Sequence, residues 1–426
     1  MLPSAYAEVP RPRQIDRSFA LSSGYLEHIF NSNEGLSYFP LSSIQLYSKG
    51  FDGVTQDYAV TTGRRWGIAL LEFPISYWLA HSLFIPYHEF GHARVIAANK
   101  NEYEYHSYGL WGPLSTTSYW GLTLMRLFTP PFGFPGSGHA SAGGNHGNLL
   151  TPSLIQYYGT PGLDLIFSAS GLNNQMLLSK KVSDLIYSDT GHMTYFAHYL
   201  GNKISGYVYS KLDQNLNSND DPLINNNSDI KAILNAYSAK GYSITHADLE
   251  RQSLISLLSG TTYSFINGYY NYISSGNPRV RTLEILGFRV PDINSYINAR
   301  GLSYEFVTGY RFSSNLRVDL AYERIWKGTP TQQLTPRIHY QIASIFPTLN
   351  DFWISADAVM SRGVGGSVEA RWAPKPFSVD HFDTKLSYFS RFILYNAYTL
   401  YGERNTPSFN QRVLTPEFIA GVNYKY

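Results

Sequence analysis

The chain contains no cysteine among its 426 residues. This absence excludes a disulfide framework and any metal site built on thiolates. Charged residues are also scarce, at 15% of the chain, and the formal net charge is only +2. We therefore expect no nucleic-acid partner, because nucleic-acid-binding proteins carry a marked excess of basic residues. The sequence contains no feature that indicates an oligomeric state.

Long apolar runs are missing as well. The best run, residues 66–85, is interrupted by Glu72, Pro74 and His81 and is followed by Pro86. A helix that spans a bilayer needs about 20 predominantly apolar residues, so the sequence predicts no inner-membrane helix. Tyrosine and glycine are abundant instead, with 35 of each. Low charge with many aromatic residues is typical of a membrane β-barrel, in which each strand turns only every second residue to lipid.

The first residues carry a short export-like pattern. Ala5 and Ala7 precede the polar Glu8, and this Ala-x-Ala arrangement resembles a signal-peptidase cleavage site. Residues 1–35 are accordingly interpreted as an N-terminal segment with the remnant of an export signal.

Residues 88–92 read His-Glu-Phe-Gly-His. On a helix, positions i and i+4 share a face, so His88 and His92 can bind one metal ion together. Glu89 then lies beside the metal and can accept a proton from its bound water. The alternative is a polar helix turn in which both histidines are simply hydrogen-bonded. We favour the metal site, and zinc is the natural ion for two imidazoles on one helical turn.

This H-E-x-x-H pentapeptide resembles the motif of zincin-type metallopeptidases. The resemblance implies zinc ligation by His88 and His92 and a general-base role for Glu89. It extends no further, because Val95 and Ala98 occupy the positions that hold Gly and His in the extended form of the motif.

The third metal ligand is left open by this motif. Among the candidates we favour Asp164, because a carboxylate among apolar neighbours needs a polar partner, although stabilising a helix N-terminus is the commoner use of such an Asp. His139 and His146, in a glycine-rich stretch, are the rivals. Residues 168–174 resemble the small-residue, Asn-containing helix of site-2-type proteases, in which an Asn lies near the metal. A packing face for a neighbouring helix is the favoured interpretation here.

The chain divides by pattern into three parts. Residues 36–260 are predicted to be mainly helical and to hold the metal site, with helices over 73–100, 163–187 and 193–212 and a possible strand over 36–48. Residues 213–229 are polar and Asn-rich, which indicates a mobile loop. Residues 261–426 are predicted to form antiparallel strands.

The strand prediction depends on alternation. Apolar and polar residues alternate along 302–312, 316–323 and 414–426, which is the period of a strand with two different faces. The last of these strands resembles the C-terminal assembly signal of bacterial outer-membrane β-barrels at Gly421, Tyr424 and Tyr426, and departs from it at Ile419. The predicted fold is therefore α+β, a transmembrane antiparallel β-barrel with a helical H-E-x-x-H unit in its N-terminal half. A soluble sandwich is the alternative.

These expectations combine into one functional hypothesis. The protein is expected to be a zinc-dependent metallohydrolase of the bacterial outer membrane, a peptidase that cleaves envelope or membrane proteins with activated water. Its expected partners are the lipid bilayer and a protein or peptide substrate. Two alternatives stay open: a non-enzymatic pore, transporter or assembly factor with a helical plug, and an envelope lipid or cell-wall hydrolase.

Overall fold

The structure is a computed structural model. It describes residues 16–24, 33–98, 103–109, 112–116, 119–127, 140–144, 160–188, 191–216, 228–313, 316–343, 349–360, 364–374, 385–395 and 415–425.

Eight α-helices lie in these ranges, all of them in the first two-thirds of the chain. They are α1 (Asn33–Thr55), α2 (Thr62–Ala98), α3 (Tyr119–Leu127), α4 (Thr160–Tyr187), α5 (Phe196–Leu216), α6 (Asp229–Ala239), α7 (His246–Ser256) and α8 (Gly260–Ser275). A 3₁₀ turn, Met193–Tyr195, precedes α5. The predicted helices over 163–187 and 193–212 are confirmed within a few residues.

The helix that carries the H-E-x-x-H motif is longer than predicted. It begins at Thr62 and continues through both Pro74 and Pro86. Proline costs a helix one hydrogen bond and crowds the preceding turn, but the residues around Pro86 are almost all buried, so packing holds the helix together there. This long helix runs from an exposed start into the centre of the molecule.

The strand considered for residues 36–48 is wrong, because α1 covers this segment. Its buried side chains include Leu41, Ile44, Ser48 and Phe51. Their spacing of three, four and three residues is that of a helix face, not of a strand.

Fourteen strands form two sheets in the described ranges. A small sheet contains β2 (Tyr103–Gly109), β3 (Gly112–Thr116) and β4 (Ala140–Gly144) in the order β3-β2-β4. The large sheet has eleven strands: β1 (Asp16–Gly24), β5 (Glu284–Ile285), β6 (Phe288–Arg289), β7 (Asp292–Asn298), β8 (Gly301–Arg311), β9 (Leu316–Gly328), β10 (Gln332–Ala343), β11 (Leu349–Met360), β12 (Val364–Pro374), β13 (Lys385–Tyr395) and β14 (Thr415–Lys425). In the C-terminal part of the chain the strands therefore begin at Glu284, later than the predicted boundary at 261, since α8 occupies residues 260–275.

The predicted transmembrane β-barrel is wrong. The large sheet has the order β1-β14-β13-β12-β11-β10-β9-β8-β6-β5, with β7 also paired to β8, and its two end strands do not pair with each other in the described ranges. A barrel needs every edge hydrogen-bonded to a neighbour. The fold is a mixed α+β fold with an open sheet. The C-terminal strand β14 is present as predicted and pairs with β13 on one side and β1 on the other.

The polar face of the sheet explains part of this difference. The sequence assigned its charges to a lumen, but at β8 they bind the helices. Glu305 accepts a hydrogen bond from Lys180 of α4 at 2.8 Å, and Arg311 donates to the carbonyl oxygen of Tyr187 at 2.9 Å. Helices α4 and α7 also pack on β7. The helical half therefore covers this end of the sheet.

The opposite face of the sheet is apolar and exposed. Cross-strand partners on this face include Tyr340 with Ile354 and Val368 with Phe392, and all four side chains are exposed.

One helix in the described ranges, over residues 62–93, is long and apolar enough to cross a membrane by length and composition. In its most apolar 18-residue stretch, 44% of the residues are buried in the protein. The sequence predicted no such helix. Neighbouring exposed apolar side chains are typical of interaction surfaces.

We predict that Lys180→Met lowers the free energy of unfolding by about 3–5 kcal/mol, because it leaves the Glu305 carboxylate buried without its cation. Urea unfolding followed by circular dichroism measures this change. The matched control is Lys211→Met, since Lys211 pairs with Glu250 at 2.8 Å but is exposed to solvent, and an exposed pair contributes little. Equal effects of the two substitutions would show that the helix–sheet ion pair has no special role.

Candidate metal centre

The H-E-x-x-H motif lies in the buried, second half of α2. His88 and His92 are 1% and 4% exposed, and their Nε2 atoms lie 3.1 Å apart. This confirms that the two imidazoles share one face of the helix, one turn apart. Glu89 is buried beside them.

A carboxylate from a distant part of the chain joins the two histidines. The Oδ2 atom of Asp229 lies 3.0 Å from Nε2 of His88 and 3.2 Å from Nε2 of His92. Asp229 is the first residue of α6, and the Ser228 side chain caps that helix by accepting a hydrogen bond from the Lys231 amide. The group of His88, His92 and Asp229 could hold a metal ion.

Helix α6 is held in place by its apolar face. Ile230, Ile233 and Tyr237 are buried against Leu165 and Ala169 of α4. Their spacing of three and four residues forms one stripe along the helix. Because this stripe fixes the first turn of α6 against α4, the carboxylate of Asp229 is brought to the two histidines.

The spacing of the three atoms suits a small tetrahedral metal ion. Metal–ligand bonds of about 2.0–2.1 Å at tetrahedral angles place ligand atoms about 3.3 Å apart. The three observed separations, 3.0, 3.1 and 3.2 Å, are close to this value. Only a slight outward movement of the side chains is needed to accommodate an ion.

Neighbouring groups orient His92. Its Nδ1 atom donates a hydrogen bond to the carbonyl oxygen of Phe167 at 2.8 Å, and Ser170 Oγ lies 3.3 Å from the same nitrogen. A proton held at Nδ1 leaves the lone pair of Nε2 directed at the metal group, which is how metal-binding histidines are commonly prepared.

His88 is positioned by packing. Its ring stacks on Tyr209 of α5 with centroids 5.2 Å apart, and it lies directly over Gly171 of α4, where an added Cβ would collide with the imidazole. A Cβ added at Gly91 would lie 2.6 Å from the Ser170 carbonyl oxygen. The small-residue stretch 168–174 is therefore a packing face, as the sequence analysis favoured.

The two asparagines of that stretch hold backbone groups. Asn174 donates from Nδ2 to the carbonyl oxygen of Tyr87 at 2.9 Å. Asn173 both donates to the carbonyl oxygen of Ile297 and accepts from its amide. Asn174 thus ties α4 to the residue before His88, and Asn173 ties α4 to β7.

The electrostatics of the group favour a proton when no metal is bound. Burial by itself would lower the pKa of His92, but the charge and hydrogen bond of Asp229 and the charge of Glu89 outweigh it and raise the pKa of His92 to about 9. Burial likewise opposes the charge of Asp229, yet the charge of His92 and the hydrogen bonds from His88 and His92 hold the pKa of Asp229 below its ordinary value. A metal ion would replace this proton.

A buried cation lies near Glu89. Arg126 of α3 is 1% exposed, and burial lowers its pKa while the nearby Tyr209 and Glu89 oppose that effect. Its Nη2 atom lies 3.4 Å from Nδ1 of His81. Burial and the charge of Arg126 lower the pKa of His81 to about 4, so this histidine is neutral at neutral pH.

The third ligand favoured from the sequence does not lie in the group. Asp164 is exposed on the first turns of α4, and the structure brings Asp229 to the histidines in its place. His139 and His146 lie outside the described residues. Asp229 was assigned to the end of a polar loop. Ser-Asp at the start of a helix was the available local signal, but it carries no information about a partner 141 residues away.

The chain matches no known protein family, no curated protein sequence and no solved structure. Its function therefore has to be inferred from the geometry of this site.

We predict that Asp229→Ala weakens metal binding at least tenfold, with Zn²⁺ as the probe, because it removes one of three ligands. Competition against a chromophoric chelator measures the affinity. Asp164→Ala is the matched control and should leave the affinity unchanged. The reverse order of effects would restore Asp164 as the ligand.

We also predict that Zn²⁺ affinity rises by about tenfold per pH unit up to about pH 9. The pKa of His92 is raised to about 9, so below that pH a proton must leave before the metal binds. The competition assay at pH 6, 7 and 8 tests this. An affinity independent of pH would show that His92 carries no proton to displace.

Proposed function

We propose that the protein is a zinc-dependent hydrolase, and that its substrates are proteins or peptides. The single observation that carries the proposal is the convergence of His88, His92 and Asp229 with Glu89 adjacent to them. Three protein ligands of the His₂-carboxylate type are the set found in catalytic zinc sites, which keep a fourth position for water. A closed structural site would use four protein ligands.

Zinc in such a site lowers the pKa of a water molecule towards neutrality and polarises a carbonyl group. His88, His92 and Asp229 would hold the ion. The Glu89 carboxylate, next to His88 in the chain, is the base that accepts the proton of the attacking water and passes it to the leaving amine. The Phe167 carbonyl oxygen keeps His92 in the tautomer that this arrangement needs.

The burial of the site supports chemistry over simple ion storage. Glu89 is 5% exposed, and charges act more strongly in such water-poor surroundings. The side chain of Asp229 is 20% exposed, so one side of the group is open to a substrate. The alternative of a pore or transporter needs a closed lumen, which the described strands do not form.

We further propose that the protein works against a lipid bilayer. Support comes from two apolar surfaces, the exposed face of the sheet and the first half of α2. On α2 the side chains of Trp66, Leu70, Leu71 and Ile75 are more than half exposed. Tryptophan and leucine on one side of a helix suit the interface of a membrane. The outer membrane as the particular location stays a prediction.

The second candidate for the substrate is a lipid or a cell-wall component with an acyl or amide carbonyl group. It is favoured by these same apolar surfaces.

We predict that Glu89→Gln keeps the fold and the bound zinc but lowers the rate of hydrolysis by about 10²–10⁴. Glutamine has nearly the same shape and cannot accept the proton. Cleavage of a panel of peptides and envelope proteins, with zinc content measured in parallel, tests this. Glu104→Gln, at an exposed position on β2, is the matched control. Equal rates for wild type and Glu89→Gln would remove Glu89 from the mechanism.

For the bilayer proposal, we expect the protein to float with lipid vesicles in a density gradient. The double substitution Leu70→Glu and Leu71→Glu should reduce the floating fraction several-fold, because it puts two charges on the apolar face. Gln56→Glu, at an exposed turn, should have no effect. Full recovery of wild type in the vesicle-free fractions would contradict the proposal.

A further inference from the structure

A row of buried polar side chains runs along one face of α5 and ends at the metal centre. His198, Asn202, Ser205 and Tyr209 are spaced by four, three and four residues, which places them on one side of the helix. The first three are at most 5% exposed, and Tyr209 stacks on His88. At a rise of about 1.5 Å per residue the row is about 16 Å long.

Helix α4 contributes two more polar groups to the same interface. Near one end of the row, Ser179 Oγ donates to the Tyr199 carbonyl oxygen at 3.4 Å. At the other end, Gly171 and Tyr209 both contact His88. The two helices are thus antiparallel over this stretch. Gln175, midway between Ser179 and Gly171 on α4, lies at the level of the middle of the row.

Three of these side chains leave polar atoms without partners. Five of their buried atoms have no hydrogen-bond partner in the part of the chain that the structure describes: both ring nitrogens of His198, both amide atoms of Gln175, and Asn202 Oδ1. The side-chain hydrogen bonds of Ser205 and Asn202 stay within α5: Ser205 Oγ donates to the Gly201 carbonyl oxygen at 2.7 Å, and Asn202 Nδ2 donates to the His198 carbonyl oxygen at 2.6 Å. Buried polar atoms in proteins are nearly always paired with protein groups or ordered water.

The chemistry of the row selects a neutral ligand that can both donate and accept. Gln175 offers a donor and an acceptor. Burial lowers the pKa of His198 to about 3, so its ring is neutral and also offers one of each. No charged residue belongs to the row. Water matches this pattern, and internal waters typically take about three such partners.

We propose that His198, Asn202 and Gln175 bind a row of internal water molecules between α4 and α5, and that this row leads to His88 and supplies water to the metal centre. The proposal that water binds here depends on the buried polar atoms alone. The proposal that this water is supplied to the metal centre rests on the proposed hydrolase function. At a centre whose histidines and Glu89 are nearly inaccessible to solvent, a substrate seated over Asp229 would leave this row as the route for water.

The sign of a stability change tests the binding. If the interface is dry, Gln175→Leu and His198→Leu remove unpaired polar atoms and raise the melting temperature. If waters are bound, both substitutions break hydrogen bonds and lower it by several degrees. Gln56→Leu, at an exposed position, controls for the substitution itself. We expect a fall in both variants, and a rise in both would overturn the proposal.

A high-resolution structure of the wild-type protein decides the matter if a variant does not fold. We expect density for ordered waters bonded to His198 and Gln175, and its absence would overturn the proposal.

The role of the row in supplying water to the metal centre is tested with Ser205→Leu, which fills the middle of the row. It should lower the rate of hydrolysis at least tenfold with zinc content unchanged, and an unchanged rate would overturn this role. Failure of wild type to hydrolyse any substrate would instead refute the proposed function, leaving the melting and density results to decide water binding.

Discussion

The close approach of α2 and α4 is the contact on which the candidate metal centre depends. It is possible because Gly91 and Gly171 have no side chains: a Cβ at either would collide with the other helix, with the Ser170 backbone in one case and with the His88 ring in the other. Small residues at a helix–helix contact let the backbones approach, and side chains then meet backbone groups directly. Here the Asn174 amide reaches the Tyr87 carbonyl oxygen, one residue before His88.

This contact determines the chemistry of the centre. With α4 so close, the Phe167 carbonyl oxygen holds the proton of His92, and the imidazole of His88 has one position, between Gly171 and Tyr209. The same helix α4 then packs against α6 and brings in Asp229. One helix therefore orients the two histidines and places the carboxylate of the candidate metal centre. The close packing around α4 also buries polar atoms, which need hydrogen-bond partners inside the protein.

The sheet is tied to the helices by polar groups as well. Asn173 pairs with the backbone of β7, and Lys180 with Glu305 of β8, both from α4. A buried ion pair such as Lys180 with Glu305 adds little net stability, because each charge loses its hydration, whereas the loss of one partner is costly. These contacts set the position of the sheet relative to the helix that orients the metal ligands. The exposed apolar face of the sheet lies opposite these contacts, as the alternation along each strand requires.

Part of the fold and of the candidate site could be predicted from the sequence alone. The helical repeat places residues four apart on one face, so the spacing of His88 and His92 was sufficient to predict their meeting and the place of Glu89. Alternation was sufficient to predict β8, β9 and β14, because a strand has only two faces. The motifs for these features lie within one element, where local geometry decides the outcome.

The rest was decided by tertiary structure. Alternating faces are the same in an open sheet and in a closed barrel, and only the pairing of the end strands distinguishes them; here β1 and β5 are not partners. Leu41, Ile44 and Phe51 have a helical spacing, and their burial against the other helices decided for α1 over the strand considered for residues 36–48. Asp229 could not be found from spacing, because its approach to His88 depends on how α6 packs on α4. Contacts between distant segments follow from the packing of whole faces, which no local pattern encodes.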